Sequence, residues 1–192
     1  MNLPNWISIF RILCIPLFIG TLAYYSPDQD HLRLVALAVF LIAVISDAVD
    51  GYIARTRHLK TRLGSFIDPL ADKLLLTSSF ICLAVAHNIP PAFRLPLWVP
   101  ILFISRDVIL VIGAALVHIV TGDLKIAPSP LGKLTTFFQM ATVIMVLLQG
   151  RPALSVCYVA AFFTIVSGFE YLLKGSRLLS ANGTNHQGAR VA

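Results

Sequence analysis

The sequence predicts an all-α integral membrane protein, a bundle of six transmembrane helices with both termini in the cytoplasm. Three observations carry that reading. The 192 residues are 57% hydrophobic and 12% charged, with a mean hydropathy of +0.83, whereas a soluble domain carries about 25% charged residues. Apolar runs near the ~20 residues that a span needs recur six times along the chain. The basic residues gather in alternate connectors, which is the pattern that membrane topology imposes.

Taken in order, the predicted spans are Trp6–Tyr25, Leu34–Ala54, Phe66–Ala86, Leu95–Val120, Leu131–Leu148 and Ala153–Leu173. Pro4 stands near the start of the first, where a missing N–H costs nothing. Turn chemistry separates several of the rest: Ser26-Pro27-Asp28, Ile89-Pro90-Pro91 and Gly150-Arg151-Pro152. Residues 1–179 form one membrane-embedded domain, and the polar stretch 180–192 reads as a disordered tail. The N-terminus lacks a basic segment and a small-residue cleavage site, so the first span is expected to stay attached.

Lys and Arg set the orientation. Arg55, Arg57, Lys60, Arg62, Lys125, Lys133, Lys174, Arg177 and Arg190 lie on one side of the predicted bundle, against Arg33, Arg94 and Arg151 on the other. The first group marks the cytoplasmic side of the cell's inner membrane. The formal charge of +6 is therefore topological, with anionic lipid as its partner and no nucleic acid. Cys14, Cys82 and Cys157 lie inside apolar runs without paired spacing and read as packing residues. The five histidines are dispersed and show no ligand spacing.

The informative residues are those that lipid makes expensive. An aspartate at a span centre costs roughly 2.5–3.5 kcal/mol, yet Asp47, Asp50, Asp68, Asp72, Asp107 and Glu170 lie within or at the edge of apolar runs. Four of them flank one cytoplasmic connector. Asp47 and Asp50, three apart, share a face of the second span; Asp68 and Asp72, four apart, share a face of the third. The short connector predicts that these spans are antiparallel neighbours, with the carboxylates at similar depth. Four converging carboxylates repel, and hard divalent cations with oxygen ligands resolve that repulsion. Gly51, Ala54 and Gly64 continue the same faces. Alone, Gly51 and Gly64 fit close helix packing as well as ligand approach; beside four aspartates the ligand reading is favoured.

These residues resemble a known signature. Asp47-Ala-Val-Asp50-Gly51-Tyr-Ile-Ala54-Arg55, followed by Gly64-Ser-Phe-Ile-Asp68-Pro-Leu-Ala-Asp72, is similar to the full motif of the CDP-alcohol phosphatidyltransferases. Within that family, Asn2-Leu-Pro-Asn5 leading to Arg11 and Pro16, Asp72-Lys73, and Gly132-Lys133-Leu-Thr135-Thr-Phe-Phe-Gln139 resemble the phosphatidylglycerophosphate synthases most, with cardiolipin synthases close behind. Ile7-Ser8 departs from the Leu-Thr more common there. The resemblance implies transfer of a phosphatidyl group from CDP-diacylglycerol to a small alcohol, glycerol 3-phosphate, with release of CMP. It implies that Asp47, Asp50 and Asp68 hold one metal ion and that Asp72 helps hold a second, both Mg²⁺ or Mn²⁺. Asp72 would also be the general base. Asp47, Asp50, Gly51, Ala54, Arg55 and Gly64 would line the CDP site, and the enzyme would be a homodimer.

The acceptor's phosphate needs cations outside the signature. Arg106 inside the fourth span, Lys133 at the start of the fifth and Lys73 are the candidates, the arginine fork suiting phosphate best. Arg106 has structural alternatives in Asp107, Glu170 or a backbone carbonyl. Other readings of the chain are a cardiolipin synthase, a transferase using inositol phosphate, an Asp-rich prenyltransferase and a cation or proton transporter. The last gives no reason for the glycine spacing, and its acidic residues would lie near one side only.

Overall fold

The computed structural model describes residues 3–56, 62–86, 88–121 and 129–188, with side chains at 9–49, 71–86, 88–113, 115 and 129–175. Six long helices account for nearly all of it: α1 Leu3–Ala23, α2 His31–Thr56, α3 Arg62–Val85, α4 Trp98–Thr121, α5 Pro130–Leu147 and α6 Ala153–Gly188. A short 3-10 turn, Pro27–Gln29, joins α1 to α2. No strand occurs among the described residues. Among the same residues, three helical stretches are long and apolar enough to cross a membrane: His31–Val49, Pro130–Leu147 and Ala153–Gly175.

Each helix turns one stripe inward, at the spacing of three and four residues that a helix requires. On α1 the buried stripe is Arg11, Cys14, Phe18 and Leu22; on α2 it is Ala36, Phe40 and Ala43; on α3, Leu76, Phe80 and Leu83. On α4 it runs Val99, Phe103 and Arg106, and on α6 Ala153, Cys157, Ala160, Thr164 and Ser167. The outward faces carry Leu13, Leu17, Ile45, Ile101, Val111, Phe162, Phe169 and Leu173 in the open, as a lipid-facing surface does. The inner contacts mix aromatic and small residues. Phe80 meets Phe103 edge-on at 4.7 Å and Phe138 stacks on Phe163 at 5.2 Å, while Ala36, Ala43 and Ala160 let backbones approach.

α1 packs on both α2 and α3, and α6 packs on both α4 and α5. Further contacts of α3 with α4 and α5, and of α2 with α5, close the bundle. The expectation that α2 and α3 are direct neighbours is modified: among the described residues any contact between them is slight, and α1 serves both. α1 buries Cys14, Phe18 and Leu22, and Phe18 lies 6.0 Å from Phe40 of α2. Hydroxyls in this apolar setting bond back to the preceding turn, as Ser79 does to the Leu75 carbonyl and Thr164 to that of Ala160, each at 2.7 Å.

The last helix is also the longest of those described. α6 continues to Gly188, through most of the stretch for which composition predicts disorder. Extending a nucleated helix adds one hydrogen bond per residue fixed, without the cost of a new nucleus. Residues 189–192 lie outside the described residues.

Candidate functional site

The inner stripes are apolar at one end of the bundle and polar at the other. From Phe18 on α1 one meets Arg11 two turns away; from Phe40 and Ala43 on α2 the same face leads to Asp47; from Phe80 and Leu76 on α3 it leads to Asp72. On α4, Phe103 gives way to Arg106, and on α6, Thr164 gives way to Ser167 and Tyr171. These polar residues are not scattered through the bundle but joined by contacts into one band to which all six helices contribute.

The band begins at Arg11. Its side chain is fully buried on α1 and forms an ion pair with Asp47 on α2. Asp72 on α3 lies within electrostatic reach of the Asp47 and Asp107 carboxylates and of the Arg11 and Lys73 cations. Lys73 pairs with Asp107 of α4. The same Asp107 oxygen accepts from Arg106 Nη1 at 2.9 Å. The other edge of the Arg106 guanidinium turns to α6, where Nε and Nη2 donate to Ser167 Oγ at 3.2 and 2.8 Å. Its Cζ stands 5.9 Å from the centre of the Tyr171 ring, within cation–π range.

α5 enters the band through its first turn. Ser129 caps the helix by accepting from the Gly132 N–H at 3.1 Å, and Pro130 follows at the position that tolerates it. The Tyr171 hydroxyl accepts from the Ser129 N–H at 3.1 Å. Gly132 faces Arg106: a Cβ there would stand 3.3 Å from Arg106 Nη2 and 3.6 Å from the Tyr171 hydroxyl.

The sequence-predicted residues fall into three groups. Asp47, Asp72, Lys73 and Arg106 are drawn into the band. Lys133 lies in the first turn of α5 beside Gly132, with its side chain exposed. Asp50, Gly51, Ala54 and Arg55 stand on α2 and Gly64 and Asp68 on α3, but their side chains lie outside the described residues. So do those of Arg62 and Arg177, together with the whole of Arg57, Lys60, Lys125 and Arg190. Of the structural alternatives for Arg106, Asp107 is realised; Glu170 pairs with Lys174 at 2.5 Å instead.

No group of three metal-ligating side chains is found among the described residues, and of the aspartate quartet only the Asp47 and Asp72 side chains are described. The donor set nonetheless fits a hard divalent cation. Two carboxylates from different helices stand within electrostatic reach of one another, both half-buried, and like charges so placed call for counter-charge. Arg11 meets part of that need at Asp47.

Sequence reasoning gave no site role to Arg11, Ser167, Tyr171 or Ser129, and Arg11 entered only through the family resemblance. For Arg11 the signal was present, because an arginine in an apolar span is as costly as the aspartates. Ser167 and Tyr171 carry no such flag, since both residue types are ordinary in a membrane helix.

The family model for CDP-alcohol phosphatidyltransferase matches residues 1–167. A Bacillus subtilis protein named CDP-diacylglycerol–glycerol-3-phosphate 3-phosphatidyltransferase is 37% identical, covering 94% of this chain and 98% of its own. A Haemophilus influenzae protein of the same name is 34% identical over 92% of this chain and 96% of its own. A Mycobacterium tuberculosis protein named "Probable phosphatidylglycerophosphate synthase" is 31% identical over 92% and 82%.

Proposed function

This chain belongs to the CDP-alcohol phosphatidyltransferases, and from that premise we propose that it transfers a phosphatidyl group from CDP-diacylglycerol to glycerol 3-phosphate, releasing CMP. The observation that carries the reading is the polar band itself. It gathers the carboxylates of Asp47 and Asp72 with Arg11, Lys73 and, through Asp107, Arg106 toward one end of the bundle. Donor and acceptor both carry phosphate, and the reaction also needs a base. The names of the relatives support glycerol 3-phosphate over the cardiolipin and inositol phosphate alternatives, and family membership leaves the transporter and prenyltransferase readings without support.

Asp47, Asp50 and Asp68, with Asp72, would hold Mg²⁺ or Mn²⁺, two ions in all, whose charge would neutralise the donor diphosphate and stabilise departing CMP. The chain's own residues do the rest. Gly51, Ala54 and Gly64 leave room for the nucleotide, with Arg55 beside it. Arg106, Lys133 and Lys73 receive the acceptor's dianionic phosphate, whose desolvation is costly unless cations meet it. Asp72 takes the proton from the acceptor hydroxyl as its oxygen bonds to the phosphatidyl phosphorus. The bond from that phosphorus to the bridging oxygen breaks, and CMP leaves.

All six helices would cross the inner membrane, with both termini and the polar band on the cytoplasmic side, where the basic connectors and the water-soluble acceptor are. The homodimer implied by the family resemblance belongs to the same reading. An acceptor screen tests it: purified protein, CDP-diacylglycerol and Mg²⁺ or Mn²⁺, reading CMP and the lipid product. Glycerol 3-phosphate should give phosphatidylglycerophosphate. A product only with phosphatidylglycerol or inositol phosphate would move the chain to another branch of the family.

A further inference from the structure

Arg106 is held in an unusual way for an arginine buried in a membrane bundle. Only 7% of it is exposed, yet the two donors on one edge of its fork converge on a neutral oxygen, Ser167 Oγ. A carboxylate at that place would make the stronger bond and cancel the charge. The one anion it does touch, Asp107, is shared with Lys73. Asp107 is thus divided between two cations, and the donors on the Ser167 edge of the Arg106 fork meet no charged acceptor.

The same Nη2 that meets Ser167 also comes close to α5. Nη2 lies so close to the first turn that only glycine fits at 132 without movement. That turn is the positive end of the helix dipole, an unfavourable neighbour for a cation. An anion received there would relieve both, since helix N-termini and arginine forks each favour phosphate.

We infer that Ser167 and Gly132 are positioning residues for Arg106: the serine holds one edge of the fork without neutralising it, and the glycine lets the fork reach the first turn of α5. The inference rests on the reading of Arg106 as receiver of the acceptor phosphate. On this reading their side chains make no substrate contact of their own. Their contribution is to fix the direction of a side chain that otherwise has many rotamers, so it belongs to acceptor affinity and not to the donor.

Steady-state kinetics on the purified full-length protein, varying each substrate in turn, separates the outcomes. Ser167→Ala should raise the KM for glycerol 3-phosphate about tenfold, with the KM for CDP-diacylglycerol within about twofold of wild type. Ser167→Thr, which keeps the hydroxyl, should recover most of the loss. Gly132→Ala approaches the same guanidinium from the other helix and should shift the same KM in the same direction, so either variant decides the matter if the other folds poorly. Equal losses for both substrates, or no gain from Ser167→Thr, would overturn the inference in favour of a packing role. Unchanged acceptor KM in Ser167→Ala and Gly132→Ala, beside a raised one in Arg106→Ala, would overturn it while leaving the acceptor reading intact. An unchanged acceptor KM in Arg106→Ala would remove that reading and the inference with it.

Discussion

At the scale of single residues, the site combines charges that were legible in the sequence with neutral groups that were not. The aspartates announced themselves by cost, because a carboxylate in an apolar run needs a reason. Ser167 did not, since its role follows from what lies across the helix interface, which no local pattern records. Two predictions belong here. Asp72→Asn removes the proposed base and should lower turnover ~10²–10⁴-fold with smaller change in the KM for CDP-diacylglycerol; Asp47→Asn should instead raise that KM. Near-normal turnover in Asp72→Asn would rule out its role as base. The pair formed by Arg11 and Asp47 is tested by a double-mutant cycle on unfolding in detergent. Contacting residues of one ion pair couple by roughly 0.5–3 kcal/mol, so additive effects of Arg11→Ala and Asp47→Asn would mean that the pair adds nothing to stability.

At the scale of helices, type and number were readable because lipid demands long apolar runs, and the ends were readable only in part. The turn after α5 shows why. Composition puts the break at Gly150-Arg151-Pro152, but the left-handed residue is Gln149, with φ of 51°. The Gln149 N–H donates to the Val146 carbonyl and the Gly150 N–H to that of Met145, which is the pairing that closes a helix. Glycine is the residue such a position favours, so Gln149→Gly should be neutral or stabilising by up to about 1 kcal/mol, read as the midpoint of thermal unfolding. At the same end, Arg33 pairs with Asp30 at 2.6 Å and donates to the Leu147 carbonyl, tying the start of α2 to the end of α5. Deep in the bundle, Phe80→Ala should cost ~3–5 kcal/mol, because Phe80 is 1% exposed and packs edge-on against Phe103. A loss under ~1 kcal/mol would mean that the bundle collapses into the gap. The neighbour relations among helices were the least legible. That α1 serves both α2 and α3 depends on which stripes match, and a short connector between α2 and α3 gave the wrong emphasis.

For the whole molecule, function is read from the band in which α1 to α6 each place a polar group. If the aspartate quartet holds metal, excess chelator should abolish CMP release and added Mn²⁺ or Mg²⁺ restore it, with the folded fraction unchanged throughout; full turnover in chelator would end that reading. The apolar end of the bundle has its own consequence. Phe18, Phe40, Phe80, Leu83, Val143 and Val146 are buried there with at most 2% exposure, so among the described residues that end is closely packed with apolar side chains. Both soluble partners of the proposed reaction must then come and go by one door. On that reading each new phospholipid would enter a single leaflet, and its appearance in the other would require a separate crossing step.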